Sequence, residues 1–331
     1  MMKALITGVS NPTGIALLKT LGTGGVDLHA ADDNRNAPGM ALVKRWHRLV
    51  LPPTSAEEIV DAVVRHCLKK RIQVVIPATD EYLNLLSEHE EQFEQRAIRL
   101  MVPSAATRAL ANDRAALFSS FEGKLPVPKH ALFDDDFDAK GWRFPVILRP
   151  RGRGGERDQK MFASAKDLNR VPRNPELIVE EPLFGDVAFV DVMAGQDGDV
   201  LAAVPRSEYR DARDRQVAVT THDETLETLG RRAAELADVR FAASIELRRV
   251  DKGAWKVSGI IPRCTGASML TAKSGVNIPL LCLKEVLGEP IHREELRYKE
   301  VGMVRAPASA IQVKRRRSRS RSTARASATA L

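Results

Sequence analysis

Residues 144–155 read FPVILRPRGRGG. A short apolar run closed by Arg149 opens into a loop in which Gly152, Gly154 and Gly155 are interleaved with Arg151 and Arg153. A run of this length and composition predicts a strand over Phe144–Arg149. Glycines let backbone amides come close to a ligand, and guanidinium groups present rigid forks of donors that match phosphate oxygens. A strand that feeds such a loop therefore reads as a phosphate-covering device. The plain alternative is a strand whose arginine pairs with a surface acid, followed by an ordinary surface loop.

Towards the N-terminus, strand and helix patterns alternate. Met2–Thr7 reads as a buried strand, Ile15–Leu21 as a helical face, and Val26–Ala31 as a second strand closed by Asp32 and Asp33. Ser55 and Glu58 form a capping box ahead of a helix through Ile59, Val63 and Cys67. Val74–Pro77 is a third strand, Asp80 is expected to cap a helix carrying Leu83, Leu86 and Phe93, and Arg99–Val102 is a fourth strand. This alternation predicts a doubly wound parallel sheet over 1–103. Gly8 and Gly14 suggest a dinucleotide turn with Asp32 on a ribose, but the middle glycine of G-x-G-x-x-G is missing. A strand–helix turn is the preferred reading, and a nicotinamide enzyme would leave the remaining two-thirds of the chain unexplained. Beyond Pro103 the pattern changes to α+β. A helix is expected over Asn112–Phe121, and strands over Leu177–Glu181, Ala188–Met193 and Val200–Val204. A helix over Thr225–Leu236, a hairpin of Ala243–Val250 with Ala254–Ile261, and a last helix over Pro279–Leu287 follow.

The ordered set of motifs resembles the ATP-grasp superfamily, most nearly its carbamoyl-phosphate synthetase type. Asn112-Asp113-Arg114 resembles that family's Asp-Lys/Arg helix, and residues 144–155 resemble its strand and phosphate-covering loop. Leu177–Gly185 resembles the hinge strand that meets adenine, and Ser244–Arg248 the first metal-ligand strand. Ile261-Pro262-Arg263 stands where the family has Asn-Pro-Arg, and Gly275-Val276-Asn277 resembles a turn after it. The likeness runs from about residue 1 to residue 290. It implies a pre-ATP-grasp lobe at 1–103, a small ATP-grasp lobe at 104–181 and a large lobe at 182–305. The implied activity is a ligase in which ATP turns a carboxylate into an acyl phosphate for attack by an amine. Arg114, Arg149, Gly152, Gly154 and Gly155 would hold the phosphates, Glu180 and Glu181 would face the nucleoside, Glu246 would ligate Mg2+, and Arg263 would be the catalytic cation.

The second metal strand departs from this pattern. Gly259 and Ile261 occupy the positions of a carboxylate and an asparagine, and neither offers a side-chain ligand for magnesium. Val187 stands where a ribose-binding acid is expected, with Asp186 and Asp191 nearby, and Asp251 or Glu208 are conceivable substitute ligands. The alternative reading is thus a catalytically impaired ATP-grasp protein that binds nucleotide or a protein partner.

Composition places the chain among globular proteins: 331 residues, 44% hydrophobic and 28% charged. Cys67, Cys264 and Cys282 are too scattered for a disulfide framework or a zinc cluster, and Cys264 reads as a buried filler beside Arg263. Met1–Thr7 has no signal-peptide core and no run reaches membrane-spanning length, so a cytoplasmic location is expected. The net charge is +8, and the seven basic residues between Lys314 and Arg325 supply all but one of it. The segment 306–331 is expected to be a disordered basic tail; nucleic acid or an acidic partner would be met only there, without aromatic residues to stack on bases.

Overall fold

The computed structural model describes residues 1–152, 158–212, 214–250 and 253–304. The expected tail, with Gly154, Gly155, Arg153 and Asp251, lies outside them.

The first sheet is wholly parallel. It contains β1 (Lys3–Thr7), β2 (Asp27–Asp32), β3 (Arg48–Val50), β4 (Val74–Pro77) and β5 (Arg99–Leu100), in the order β3-β2-β1-β4-β5. Leu17, Leu18 and Leu21 of α1 (Pro12–Thr23) cover Ala4, Ile6 and Ile76 on one face. Val60, Val63 and Cys67 of α2 (Ala56–Lys70) cover Leu5, Ala31 and Val75 on the other. Burial on both faces is why the strands read as continuous apolar runs. The expected single helix after β4 is two helices, α3 (Asp80–Ser87) and α4 (Glu90–Glu94), and its N-cap is Thr79 rather than Asp80.

The turn after β1 has a packing rationale. A side chain at Gly14 would bring its Cβ to 2.7 Å from the Gly8 carbonyl oxygen and the Val9 Cα. Gly8 has φ +75°, and a Cβ there would strike Thr79 at 2.7 Å. Asp32 is buried and accepts from the Ser10 amide and hydroxyl, both at 2.7 Å, and from the Asn34 amide at 3.0 Å. Both its oxygens are thereby engaged in closing the turn, in keeping with the strand–helix turn as the preferred reading.

The expected helix over Asn112–Phe121 is α6 (Arg114–Phe121), and a further helix, α5 (Ala105–Asn112), precedes it; Asp113 is extended between them and caps α6 through the Ala116 amide at 3.1 Å. A four-stranded antiparallel sheet follows: β6 (His130–Leu132), β7 (Val146–Pro150), β8 (Lys160–Phe162) and β9 (Leu177–Glu180), ordered β6-β9-β7-β8, with the short α7 (Ala165–Leu168) before β9. Phe133, Phe137, Val146 and Val179 form its core.

The third sheet has six antiparallel strands: β10 (Val187–Ala194), β11 (Val200–Arg210), β12 (Gln216–Thr220), β13 (Phe241–Arg249), β14 (Trp255–Ile261) and β15 (Gly302–Val304), ordered β14-β13-β10-β11-β12-β15. β11 continues well past the expected end at Val204. The side chains alternate between its two faces, apart from register shifts opposite Met193–Ala194 and Glu246–Leu247. Ala188, Val190 and Val192 face α8 (Glu224–Leu236), which presses so close that a Cβ at Gly230 would lie 2.5 Å from Val190. On the opposite face, Met193, Ala202, Val204 and Ala242 share one core with α1 of the first sheet and with α10 (Ile278–Leu287), which follows α9 (Ser268–Ser274). Asn277 adds a bond to the Thr20 carbonyl at 3.2 Å.

Further along that same face the apolar row gives way to charge. Arg206 is 2% exposed. Its Nε donates to Asp191 at 2.8 Å and its Nη2 to Ser244 at 3.2 Å, Nη1 meets Glu208, and the guanidinium lies 4.3 Å from the Phe189 ring centroid. Removing one partner of a buried pair strands the other charge, at a cost of about 3–5 kcal/mol. Asp191→Ala should therefore lower stability to urea by about that much, and Glu208→Gln, nearer solvent, by about 1 kcal/mol. Equal losses in the two denaturation curves would mean that Asp191 does not hold the Arg206 charge.

Candidate functional site

The charged end of this face is the floor of a cleft whose roof is the four-stranded sheet. An outer pocket of about 420 Å³ is lined by Arg114, Arg149, Glu180, Glu181, Glu246 and Arg248, with Gln159, Met161 and Phe184 at its edge. An inner pocket of about 300 Å³ shares Arg114 and Glu246 and adds Arg151, Gly152, Gly259 and Ile261. Nine of the residues singled out from sequence, those at 114, 149, 151, 152, 180, 181, 246, 259 and 261, thus meet in one place.

Each is held there by local chemistry. The break at Asp113 turns Arg114 into the cleft, where its Nη1 donates to the Ser258 carbonyl at 2.7 Å. Asp113 also accepts from Arg151 Nε at 3.1 Å, the Arg114 amide bonds the Arg151 carbonyl at 2.8 Å, and Gly152 bridges to Asp113. The root of the glycine loop is thereby stapled to the start of α6. Burial opposes the Asp113 charge, but the Arg151 hydrogen bond and the Ala116 amide outweigh it and keep the carboxyl below its ordinary range.

Arg149 leaves β7 beside Glu180 on the paired strand β9, with Nη1 3.8 Å from the Glu180 carboxylate, and Nη2 meets Gln159. Burial pulls the Arg149 guanidinium below its ordinary value and Glu180 partly restores it. Glu180 is 5% exposed; burial pushes its carboxyl up against the pull of Arg114 and Arg149. Its Oε1 is buried without a hydrogen-bond partner. A buried acceptor left unpaired is costly, so this oxygen is a vacancy for a donor. Glu181 differs: its Oε1 takes the Lys129 amide at 2.9 Å and Lys256, tying the hinge to β14.

Glu246 accepts from Arg248 Nε at 2.7 Å and sits directly across from Gly259 in the β13–β14 register, with Ile261 opposite Ser244. A Cβ at Gly259 would lie 3.5 Å from Glu246 Oε2, an ordinary contact. Gly259 thus faces Glu246 across the hairpin without offering a side-chain ligand, and Ile261 lines the inner pocket beside them. The donor set does not fit a two-carboxylate magnesium clamp. Glu208 is taken by Arg206 and Gln216.

Arg263 is set apart from this group. Its Nε and Nη2 meet Asp80 at 2.8 and 3.3 Å, and Nη1 meets the Cys264 carbonyl at 3.2 Å. Asp80 opens α3 of the first sheet, so the pair bolts the end of β14 to that layer. Cys264 is fully enclosed and its thiol is pushed up to about 12 by burial, the state of a buried filler. Gln159 and Met161 carried no motif, and Phe184 and Arg248 lay inside motifs without a role of their own; their position around the cleft reveals them.

Two family models match the chain: a PylC-like N-terminal domain over residues 6–101, and an ATP-grasp domain described from a biosynthetic pathway with the Ter operon over 173–309. The chain carries an ATP-grasp domain. Among solved structures, the biotin carboxylase domain of Hydrogenobacter thermophilus 2-oxoglutarate carboxylase, in complex with MgADP, ADP and bicarbonate, is similar with a TM-score of 0.70 at 16% identity, covering 91% of this chain and 73% of that one. N5-carboxyaminoimidazole ribonucleotide synthetase from Thermotoga maritima gives a TM-score of 0.64 at 18% identity, over 89% and 78%. A thermophilic 2-oxoglutarate carboxylase biotin carboxylase domain, bound to ADP without magnesium and with a disordered phosphate tail, gives 0.64 at 15%, over 91% and 74%. At these identities the likeness is one of fold. No curated protein matches the chain. The matches reach the ATP-grasp level, and the carbamoyl-phosphate synthetase likeness rests on the sequence motifs alone. Among the described residues, no helix is long and apolar enough to cross a membrane.

The Arg263–Asp80 pair is part-exposed, so its coupling should be about 0.5–1 kcal/mol. A double-mutant cycle of Arg263→Met and Asp80→Asn, read by urea denaturation, should return that value with a smaller double loss than the sum of the singles.

Proposed function

We propose that the cleft binds ATP and that the chain is a ligase which activates a carboxylate as an acyl phosphate for attack by an amine. The observation that carries the nucleotide reading is the orphaned Glu180 oxygen in a pocket that also gathers three guanidinium groups. An adenine amino group supplies the donor that Glu180 Oε1 lacks, and Met161 and Phe184, both more than half exposed, offer apolar surface to a purine. Arg114, Arg149 and Arg248 supply forked, charge-assisted bonds to phosphate oxygens, and Gly152 lets backbone approach them. In the reaction, a carboxylate oxygen takes the γ-phosphoryl group and ADP leaves; the amine nitrogen then attacks the acyl carbon, expels inorganic phosphate and loses a proton. The guanidiniums stabilise the charge that spreads over the transferred phosphoryl group. The homologous folds are described with bicarbonate and with ribonucleotide synthesis; a small carboxylate and an amine are the corresponding substrate classes here.

Magnesium, when bound, neutralises phosphate charge, and Glu246 is the residue that would hold it. The opposition of Glu246 to Gly259 favours a second reading, a nucleotide-holding protein with impaired transfer. Calorimetry with a non-hydrolysable ATP analogue, in magnesium and in EDTA, separates them. Binding is expected in both, with a magnesium gain of only a few-fold. Arg149→Met should weaken it about 10- to 100-fold, as loss of a charge-assisted contact does. Gly259→Glu with Ile261→Asn should raise the magnesium dependence at least tenfold. No binding would remove the nucleotide reading; binding without ADP release, when carboxylates and amines are offered, would leave the second reading in place of the first.

A further inference from the structure

The floor of the cleft repeats one device on two strands. Arg206 and Glu208 alternate with one intervening residue on β11, and so do Glu246 and Arg248 on β13, so each pair projects from one face of its strand. Arg206 Nη1 meets Glu208, and Arg206 Nε holds Asp191 at 2.8 Å. Arg248 Nε donates to Glu246 Oε1 at 2.7 Å, with the two side chains 33% and 21% exposed. Asp191, Glu208 and Glu246 therefore each have a guanidinium partner within the floor itself. The strand neighbours of Glu246 add no side-chain oxygen: Phe189 lies opposite it on β10 and Gly259 opposite it on β14.

We propose that Arg248, held in place by Glu246, takes the position that a divalent ion would otherwise fill, and that the cleft binds its nucleotide in the metal-free form. The assignment rests on the nucleotide reading of the cleft and gives Glu246 a different task within it, that of a positioning residue. Magnesium demands near-octahedral oxygen ligands and gives up its water reluctantly. To take such an ion, Glu246 must first release a charge-assisted hydrogen bond, which is among the stronger kinds. A guanidinium has neither requirement: it stays charged at every physiological pH, and its fork of donors matches phosphate oxygens. Arg248 lines the outer pocket together with Arg114 and Arg149. Arg149 experiences Arg248 as a repelling charge and Glu246 as an attracting one, so the pair stands within electrostatic reach of that guanidinium. Like charges gathered this closely are relieved by a polyanion. One fixed charge neutralises a triphosphate less than a doubly charged ion does, and Arg114 and Arg149 supply the remainder.

The test is calorimetry on the full chain with a non-hydrolysable ATP analogue and with adenosine, each in magnesium and in EDTA. The wild type should bind the analogue in EDTA within about tenfold of its affinity in magnesium. Arg248→Met should weaken analogue binding in EDTA about 10- to 100-fold, leave adenosine binding unchanged, and raise the magnesium gain about tenfold, because Glu246 is then released to an ion. Glu246→Gln keeps an oxygen for Arg248 Nε and Glu246→Leu does not, while both lack the charge. In EDTA the Leu variant should therefore bind the analogue about fivefold or more weakly than the Gln variant, with adenosine binding equal. A wild-type magnesium gain above about tenfold overturns the assignment and leaves the nucleotide reading standing. So does an Arg248→Met variant that keeps its EDTA affinity and loses its magnesium gain, for Arg248 would then only orient a metal ligand. No analogue binding by the wild type removes the nucleotide reading and this assignment with it. Should Arg248→Met lose adenosine as well, as an unfolded variant does, the wild-type comparison of EDTA with magnesium decides.

Discussion

Arg206 lies where one face of the six-stranded sheet changes from apolar to charged. On one side of it, Met193, Val204 and Ala242 are packed dry against α10 and α1. On the other, Glu246 and Arg248 face the cleft. A guanidinium buried at this boundary is tolerable only because Asp191, Ser244, Glu208 and the Phe189 ring together satisfy it. Ser244 in turn donates to Asp191 at 2.6 Å, so β10, β11 and β13 are cross-bonded beneath the site. The cleft floor is therefore rigid where it begins, and its charged side chains project from strands whose register cannot slip without burying charge in the core.

Above that floor the charge balance is uneven. Asp113 offsets Arg151, and Lys256 offsets Glu181. Arg114, Arg149 and Arg248 line the cleft together with Glu180 and Glu246. The two carboxylates hold the guanidiniums apart and oriented, and the surplus positive charge suits a polyanion. On the proposed reading the cleft would be organised around phosphate more than around a metal, since Gly259, without a side-chain ligand, lies opposite Glu246.

Much of the fold was legible because period and burial coincide. β1 and β4 lie within a residue of their expected bounds since both faces of the parallel sheet are covered and their sequences are apolar throughout. The hairpin of β13 and β14 was visible for the converse reason, its alternation. The misses are short or depend on distant partners. β3, β12, β15 and α9 have too few residues to show a period, and β11 runs past Val204 because Arg206 pairs with Asp191 on β10 and Glu208 accepts from Gln216 on β12, which makes a polar stretch behave as strand. The expected helix at Asn112 starts two residues later, because the Asp113 side chain is committed to capping α6 and to Arg151. Asp80 looked like a cap and is instead the partner of Arg263, 183 positions away.

By itself, the sequence determined the class of this protein and the roster of its candidate site: strand and helix periods follow from residue type, and ordered motifs survive as types at spacings. It could equally show that Gly259 and Ile261 bring no ligand, because that is a property of the side chains themselves. Only the tertiary structure decided which charges are free to meet a ligand. Arg263, Glu181, Glu208 and Asp32 are all drawn into pairs or turns, while Glu180 keeps an unpaired oxygen. Electrostatic partnership acts over a few ångströms and is indifferent to sequence distance, so it is settled only when the layers close on one another.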